Sequence, residues 1–133
     1  MVISTNPKSA AAHANLGSAL EKKGDLDGAV ASFKQAISID PNYARYHYNL
    51  GVALVGKGDP DGAIKSYKRA ISLDPKMVIA HLNLGSALAN NGDLDGAITS
   101  FKQALSLDPT DANALKNLEL VSRAKQQIFA QLP

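Results

Sequence analysis

Residues 10–43 read AAAHANLGSALEKKGDLDGAVASFKQAISIDPNY, and residues 78–111 read VIAHLNLGSALANNGDLDGAITSFKQALSLDPTD. The two segments are identical at 22 of 34 positions, and residues 44–77 follow the same template less closely. Prolines and histidines keep the same 34-residue interval, at Pro7, Pro41, Pro75 and Pro109 and at His13, His47 and His81. A fixed interval of this length is typical of a protein built from stacked structural repeats.

Each copy predicts a first helix that ends at a glycine. In the first copy this helix runs from Ala10 to about Lys23, because apolar or small residues recur there at helical spacing. We expect its buried stripe to consist of Ala12, Leu16, Ala19 and Leu20. Gly24 follows, and its counterparts are Gly58 and Gly92. Glycine readily adopts the left-handed conformation that commonly ends a helix, so we expect each of the three to close a first helix.

A second helix is predicted in each copy, beginning just after an aspartate. In the first copy Asp25 is placed to cap a helix running from about Leu26 to Ile39, and Asp59 and Asp93 occupy the same place in the later copies. The expected inner face consists of Ala29, Phe33, Ala36 and Ile37. Pro41 then ends the helix, because a proline disfavours helical backbone in the residue before it.

The composition excludes several classes of protein. Of 133 residues, 45% are hydrophobic and 20% are charged, which suits a folded chain rather than a disordered one. Without cysteine, disulfides, thiolate metal sites and a cysteine nucleophile are excluded. The net charge of +2 is too small to indicate nucleic acid binding. No apolar run is long enough to span a membrane, so we expect a soluble protein in the cytoplasm.

The pattern of small and large residues resembles the tetratricopeptide repeat family. Each first helix has a leucine before and another shortly after a glycine: Leu16, Gly17 and Leu20; Leu50, Gly51 and Leu54; Leu84, Gly85 and Leu88. Each second helix carries alanines around an aromatic residue: Ala29, Phe33 and Ala36; Ala63, Tyr67 and Ala70; Ala97, Phe101 and Ala104. The histidines replace the large aromatic residue that many members carry early in the first helix.

This resemblance implies an all-α fold, a right-handed α-solenoid of three helix-turn-helix repeats followed by a capping helix. We expect a single domain over residues 1–133, with repeats at 10–43, 44–77 and 78–111. Residues 112–133 would form the capping helix, because they begin like a first helix but lack the turn that follows one. Residues 1–9 would be the end of a preceding repeat or an extension, since residues 3–7 echo the end of a second helix.

The far end of the capping helix carries three apolar residues, Ile128, Phe129 and Leu132. Two interpretations stay open for them. They fold back onto the core, or they form a contact with another subunit or domain.

No cluster of residues suggests catalysis, and we expect neither enzymatic activity nor a cofactor. The three histidines lie one repeat apart, and helices stack at roughly 10 Å, so they could not share one metal ion. Packing is the favoured interpretation for them. The turns that begin at Asp25, Asp59 and Asp93 lack the later ligands of a calcium loop, which favours helix capping.

A row of asparagines gives the strongest indication of a binding surface. Asn15, Asn49, Asn83 and Asn117 are each 34 residues apart. First helices line the concave surface of tetratricopeptide arrays, so the resemblance places this row in a groove. A carboxamide both donates and accepts hydrogen bonds and can therefore pair with a peptide backbone of any sequence. The row is similar to one in the repeat region of O-linked N-acetylglucosamine transferases. The alternative is that these side chains support helix packing or face solvent.

The same helix faces predict where a peptide would gain affinity. We expect an exposed apolar strip of Tyr48, Val52, Ile79 and Leu82, with polar neighbours Arg45, Ser86, Lys22 and Lys116. The basic neighbours favour an extended partner segment with some acidic character. Chaperone-binding family members hold a C-terminal carboxylate with Lys, Asn and Arg residues on three first helices. Asn49 fits that arrangement, but the remaining places hold Ala14, Ser18, Ile79 and Asn83, which argues against such a clamp.

Three functional hypotheses follow. The first is a non-catalytic scaffold that binds a peptide segment of a partner protein in its groove. The second is the substrate-recognition part of a larger O-linked glycosyltransferase, suggested by the asparagine row and the apparently truncated beginning. The third is a self-assembling module that associates through the surfaces of its terminal repeats. Binding of nucleic acid and insertion into a membrane are not expected.

Overall fold

The computed structural model describes residues 7–133, and every regular element in that range is an α-helix. The predicted all-α repeat fold is confirmed. The seven helices are α1 (Pro7–Lys22), α2 (Leu26–Ile39), α3 (Ala44–Gly56), α4 (Pro60–Leu73), α5 (Val78–Asn90), α6 (Leu94–Leu107) and α7 (Ala112–Ala130). The suggested echo of an earlier repeat in residues 3–7 lies almost entirely outside the described residues.

The chain divides into two compact units, one up to Pro75 and one from Lys76 to Pro133. In the first unit α1 packs against α2 and α3 against α4, and the two pairs are joined by contacts between α2 and α3. In the second unit α5 packs against α6, and α6 packs against α7. Each unit is therefore built from antiparallel helix pairs connected by short turns, as the interval of prolines and glycines predicts.

The turns between paired helices have the predicted geometry. Gly24, Gly58 and Gly92 have φ values of 85°, 78° and 86°, a region that side chains strongly disfavour. The next aspartate caps the second helix through its side chain. The Oδ1 atoms of Asp25, Asp59 and Asp93 accept hydrogen bonds from the backbone N–H of Gly28, Gly62 and Gly96 at 2.9, 3.0 and 2.9 Å. Capping and glycine conformation together define where each second helix begins.

Helix α1 differs from the prediction in where it starts and in which face it buries. It begins at Pro7, three residues early, and proline suits the first position of a helix. The predicted stripe is wrong for Ala12, Leu16 and Ala19, which are exposed, while Leu20 is half-buried. The buried residues are Ala10, Ala14 and Gly17.

The reason for the difference appears one repeat later. Leu50, the counterpart of Leu16, is buried in a cluster with Ala29, Val30, Phe33 and Ala53. The face that contains it packs against the second helix of the preceding pair. No helix precedes α1 among residues 7–133, so Leu16 has no such partner and is 51% exposed, against 8% for Leu50. An apolar stripe read from sequence is buried only where a neighbouring helix covers it.

Helix α7 begins at Ala112, ends at Ala130 and packs on α6 through a narrow face that includes the buried residues Ala114 and Val121. The Asp111 side chain caps its beginning, accepting a hydrogen bond from Ala114 N at 3.0 Å. The three apolar residues at its far end do not fold back onto the core. Phe129 is 74% exposed, and Ile128 and Leu132 are also exposed. Of the two interpretations left open for these residues, the structure contradicts the first.

Candidate functional site

Close contacts between glycines and aromatic rings set the rotation of each first helix. A methyl group at Gly17 would lie 2.7 Å from Phe33 Cε1, and at Gly85 it would lie 2.6 Å from Phe101 Cε1. Gly51 lies equally close to Tyr67. These glycines therefore face the second helix of their own pair, with no room for a side chain.

This rotation determines the direction of the asparagine row. Each of Asn15, Asn49 and Asn83 precedes the packed glycine by two residues, and two residues correspond to about 200° around an α-helix. The asparagine thus lies on the side of the first helix that is turned away from the paired second helix. Each of these asparagines has the same direction relative to its own helix pair.

The first helices are neighbours within each unit. In the first unit α1 contacts α3, and in the second α5 contacts α7. Among the described residues of the first unit, α2 and α4 make no such contact with each other. The first helices therefore lie closer together than the second helices there. Asn15 and Asn49 belong to neighbouring helices in one unit, as do Asn83 and Asn117 in the other.

In the first unit the face around the asparagines is polar and accessible. Asn15, Lys22 and Arg45 are exposed, while Asn49 and Val52 are half-buried. Arg45, Asn49 and Val52 are spaced by four and three residues, so they share one side of α3. This side offers amide groups, one cationic group and a small apolar surface to a molecule in solution.

Tyr48 does not belong to an exposed strip, and that expectation is wrong. Its side chain is 8% exposed, because its ring packs on Tyr67 with centroids 5.9 Å apart. The Arg45 guanidinium carbon lies 5.4 Å from the centroid of the Tyr48 ring and lies over it. Tyr48 therefore acts as a packing residue that supports α3 and α4, and only Arg45 above it is presented to solvent.

In the second unit the corresponding face is more apolar. Ile79 and Lys116 are exposed, whereas Leu82, Ser86, Asn83 and Asn117 are half-buried. Leu120 was not predicted as part of this face, yet it lies three residues after Asn117 and is exposed. The 34-residue register could have identified it, because Val52, Ser86 and Leu120 occupy equivalent positions. Leu120 adds apolar surface to the α7 end of the face.

The histidines are not grouped into a metal site. His81 is buried, His13 and His47 are half-buried, and His47 Nε2 lies 2.8 Å from the carbonyl oxygen of Pro41. Across residues 7–133 no three side chains of His, Asp or Glu come together in a way that could hold a metal ion.

Within the same range, no helix is both long and apolar enough to cross a membrane.

Comparison with known families accounts for this arrangement of helices. A family model described as "Tetratricopeptide repeat" matches residues 48–112, and a second, described as "TPR repeat", matches residues 22–58. Together they cover residues 22–112, about two thirds of the chain. The chain belongs to the tetratricopeptide repeat family. The glycine and aromatic contacts described above are thus contacts within the helix pairs of this family. No curated protein matches the sequence.

Several solved structures resemble the chain over most of its length. The first such domain of Spaghetti (RPAP3), solved bound to the HSP90 peptide SRMEEVD, has a TM-score of 0.86 and 21% identity, covering 91% of this chain and 98% of that one. The Sgt2 domain from Aspergillus fumigatus has a TM-score of 0.87 and 22% identity, covering 100% and 91%. The protein MamA has a TM-score of 0.86 and 26% identity, covering 91% and 71%.

Proposed function

We propose that this protein is a non-catalytic scaffold that binds an extended segment of a partner protein on the asparagine face of its first helices. The observation that carries the proposal is the constant direction of the asparagines, which are turned away from the paired helix while the adjacent glycine is packed against it. A side chain held in this way presents its carboxamide to a molecule lying across neighbouring first helices.

The chemistry of the face favours a peptide backbone with acidic side chains. Carboxamides donate to peptide carbonyls and accept from peptide N–H groups, so they bind a backbone whatever its sequence. Lys22 and Arg45 in the first unit and Lys116 in the second add positive charge beside them. Ile79, Leu82 and Val52 supply apolar contacts, and Ser86 adds a hydroxyl group. Asn15, Asn49, Asn83 and Asn117 are the proposed backbone-binding residues.

A similar solved structure supports an acidic peptide as the partner, but this chain lacks the cationic residues that would hold the C-terminal carboxylate of such a peptide. The HSP90 peptide bound by the Spaghetti domain ends in the letters EEVD, two glutamates followed by valine and aspartate. A clamp for a C-terminal carboxylate needs cationic side chains, and the places that would supply them here hold Ala14, Ser18, Ile79 and Asn83. We therefore propose an internal acidic segment rather than a free chain end.

A peptide library panned against the protein tests this proposal. Asn49→Ala and Asn83→Ala should each weaken binding of a selected peptide by about three- to tenfold, the effect of one lost hydrogen bond. Asn42→Ala is the matched control, because Asn42 is exposed in the turn before α3. If both test variants bind as tightly as the control, the peptide lies elsewhere. Circular dichroism of each variant separates loss of binding from loss of folding.

Self-association is a second candidate function, favoured by the exposure of Leu16. The face of α1 that contains Ala12, Leu16 and Ala19 is exposed. One repeat later, the equivalent face of α3 is buried against α2. We propose that a second copy of the chain covers this face. Light scattering over a range of concentrations should show a dimer or larger species that Leu16→Glu dissociates. A wild-type protein that is monomeric throughout would contradict this candidate.

The finer assignments remain predictions. They are the similarity to the repeat region of O-linked glycosyltransferases, the single domain over residues 1–133 and the repeats at 10–43, 44–77 and 78–111. The capping role of residues 112–133 and the right-handed superhelix are also predictions. The complete reading frame of the parent gene tests the first, because a glycosyltransferase would continue into a long catalytic region.

A further inference from the structure

The positive charge of this protein is unevenly distributed along the chain. Residues 1–75 contain nine Lys and Arg residues against seven Asp and Glu residues, whereas residues 76–133 contain five of each kind. The net charge of +2 therefore belongs to the first unit. Helix α4 accounts for much of it, with Lys65, Lys68 and Arg69 against Asp61 at its beginning.

The middle copy departs from the other two at two of these positions. Lys65 takes the place of Ala31 in α2 and Thr99 in α6, and Arg69 takes the place of Gln35 and Gln103. Lys68 has a lysine at the same position in both other copies, Lys34 and Lys102. The equivalent positions of α2 and α6 carry neutral residues. The repeat architecture therefore does not require the positive charges of Lys65 and Arg69.

The three cationic residues border a groove between α3 and α4. The groove has a volume of about 530 Å³ and is lined by His47, Leu50, Lys65, Ser66, Lys68 and Arg69, which we call the basic groove. Lys65, Lys68 and Arg69 are spaced by three and four residues, so they lie on one side of α4. Around α3, His47 lies about 200° and Leu50 about 100° from Asn49, so the basic groove and the asparagine face occupy different sides of the helix.

The three cations of the basic groove form no ion pair within residues 7–133. Lys65, Lys68 and Arg69 are exposed. Arg69 Nη1 makes one long hydrogen bond, 3.4 Å to Ser72 Oγ. Leu50 and Ser66 form a buried floor between them. The groove thus combines a small apolar and hydroxyl floor with a rim of available cations.

We propose that the basic groove is a second binding surface, for an acidic segment of a partner protein that places an apolar side chain over Leu50. The lining residues lie within α3 and α4, where backbone N–H groups are engaged in the helix. An isolated phosphate group would therefore find only flexible side chains to hold it. A polypeptide can pair separate carboxylates with the three cations and also cover the floor. The surface is independent of the asparagine face.

The test uses a synthetic peptide in which leucines alternate with pairs of glutamates, and a second peptide with glutamine in place of glutamate. Binding is measured by fluorescence anisotropy at low ionic strength. The double variant Lys65→Thr with Arg69→Gln should bind the glutamate peptide at least about threefold more weakly than wild type. Its folding should be intact, because Thr99 and Gln103 already occupy the equivalent positions of α6.

The matched control is Lys23→Thr with Lys102→Gln, which removes two positive charges from exposed positions outside both proposed surfaces. It should bind the glutamate peptide like wild type. An equal loss in the control would show attraction to net charge alone and overturn the proposal. Wild-type affinity in the Lys65 and Arg69 variant, or equal binding of the glutamine peptide, would also overturn it. None of these outcomes bears on the asparagine face, which is tested by Asn49→Ala and Asn83→Ala.

Discussion

The backbone of Gly51 packs against the ring of Tyr67 so closely that a methyl group on its Cα would stand 2.5 Å from Tyr67 Cε1. Tyr67 is almost fully buried, so its ring cannot move aside without disturbing the α3–α4 interface. The same contact, by setting the rotation of α3, turns Asn49 to the opposite side of the helix. Stability and the candidate site thus depend on one packing contact.

We expect Gly51→Ala to destabilise the protein by about 1–3 kcal/mol, the usual cost of overpacking a filled core. Gly56→Ala in the same helix is the matched control. There the nearest atom is the end of the flexible Leu26 side chain, and alanine favours the helix over glycine. Urea unfolding measures the free energy of unfolding of both variants. Equal free energies of unfolding for the two variants would show that the Gly51 contact is not restrictive.

The aspartate caps should contribute measurably to stability. Asp93→Ala removes the acceptor of the Gly96 N–H hydrogen bond and should cost about 0.5–2 kcal/mol. Asp93→Asn keeps an oxygen in the same place and should cost clearly less. Thermal unfolding followed by circular dichroism distinguishes them. If the alanine and asparagine variants unfold at the same temperature as wild type, the cap is not stabilising.

Tyr48 should behave as a core residue rather than a binding residue. Because its side chain is 8% exposed and packs on Tyr67, Tyr48→Ala should lower the free energy of unfolding by about 3–5 kcal/mol. Tyr48→Phe retains the ring and should cost much less. Chemical denaturation of the two variants provides the measurement. A fully stable Tyr48→Ala variant would restore Tyr48 as a candidate surface residue.

Two leucines at equivalent positions should respond differently to truncation. Leu50→Ala removes a buried side chain from the cluster around Phe33 and should cost about 2–5 kcal/mol. Leu16→Ala should change stability by no more than about 0.5 kcal/mol at concentrations where the protein is monomeric. Unfolding at low protein concentration tests the pair. A large loss at Leu16 under those conditions would mean that α1 is covered within the monomer.

Tyr46 should make the protein less stable in strongly alkaline solution. Burial raises the pKa of its phenol above the ordinary value, and electrostatic interactions with Asp40 and with Tyr43 raise the pKa further. The folded state therefore holds this proton more tightly than the unfolded state. The resulting stability is fully present below the unfolded pKa of about 10 and is lost as pH rises through the folded pKa. Stability of Tyr46→Phe should fall less steeply above that pH, as measured by urea unfolding at a series of pH values.

Local features of this fold were predictable because they depend on residues close together in the chain. The left-handed glycines at Gly24, Gly58 and Gly92 and the caps at Asp25, Asp59 and Asp93 require only a turn and the next helical residues. The second helix ended at Ile39 as predicted, ahead of Pro41. Because the pattern recurs every 34 residues, the same turn and second helix were predicted in each copy.

Burial was less predictable, because it depends on which helix lies alongside. Leu16 and Leu50 are the same residue at the same point of the repeat, yet α2 covers only Leu50. Tyr48 was predicted to be exposed because it lies beside Asn49, on the helix face expected to line the groove. The ring of Tyr67 and the guanidinium group of Arg45 cover it.

The sequence by itself determined the helices, their turns and the periodic asparagines, since these follow from backbone conformation and a repeated pattern. Only the tertiary structure decided which side of each first helix is open. That side depends on the fit of Gly51 against Tyr67 and its equivalents, a contact between residues 16 positions apart whose closeness no local pattern specifies.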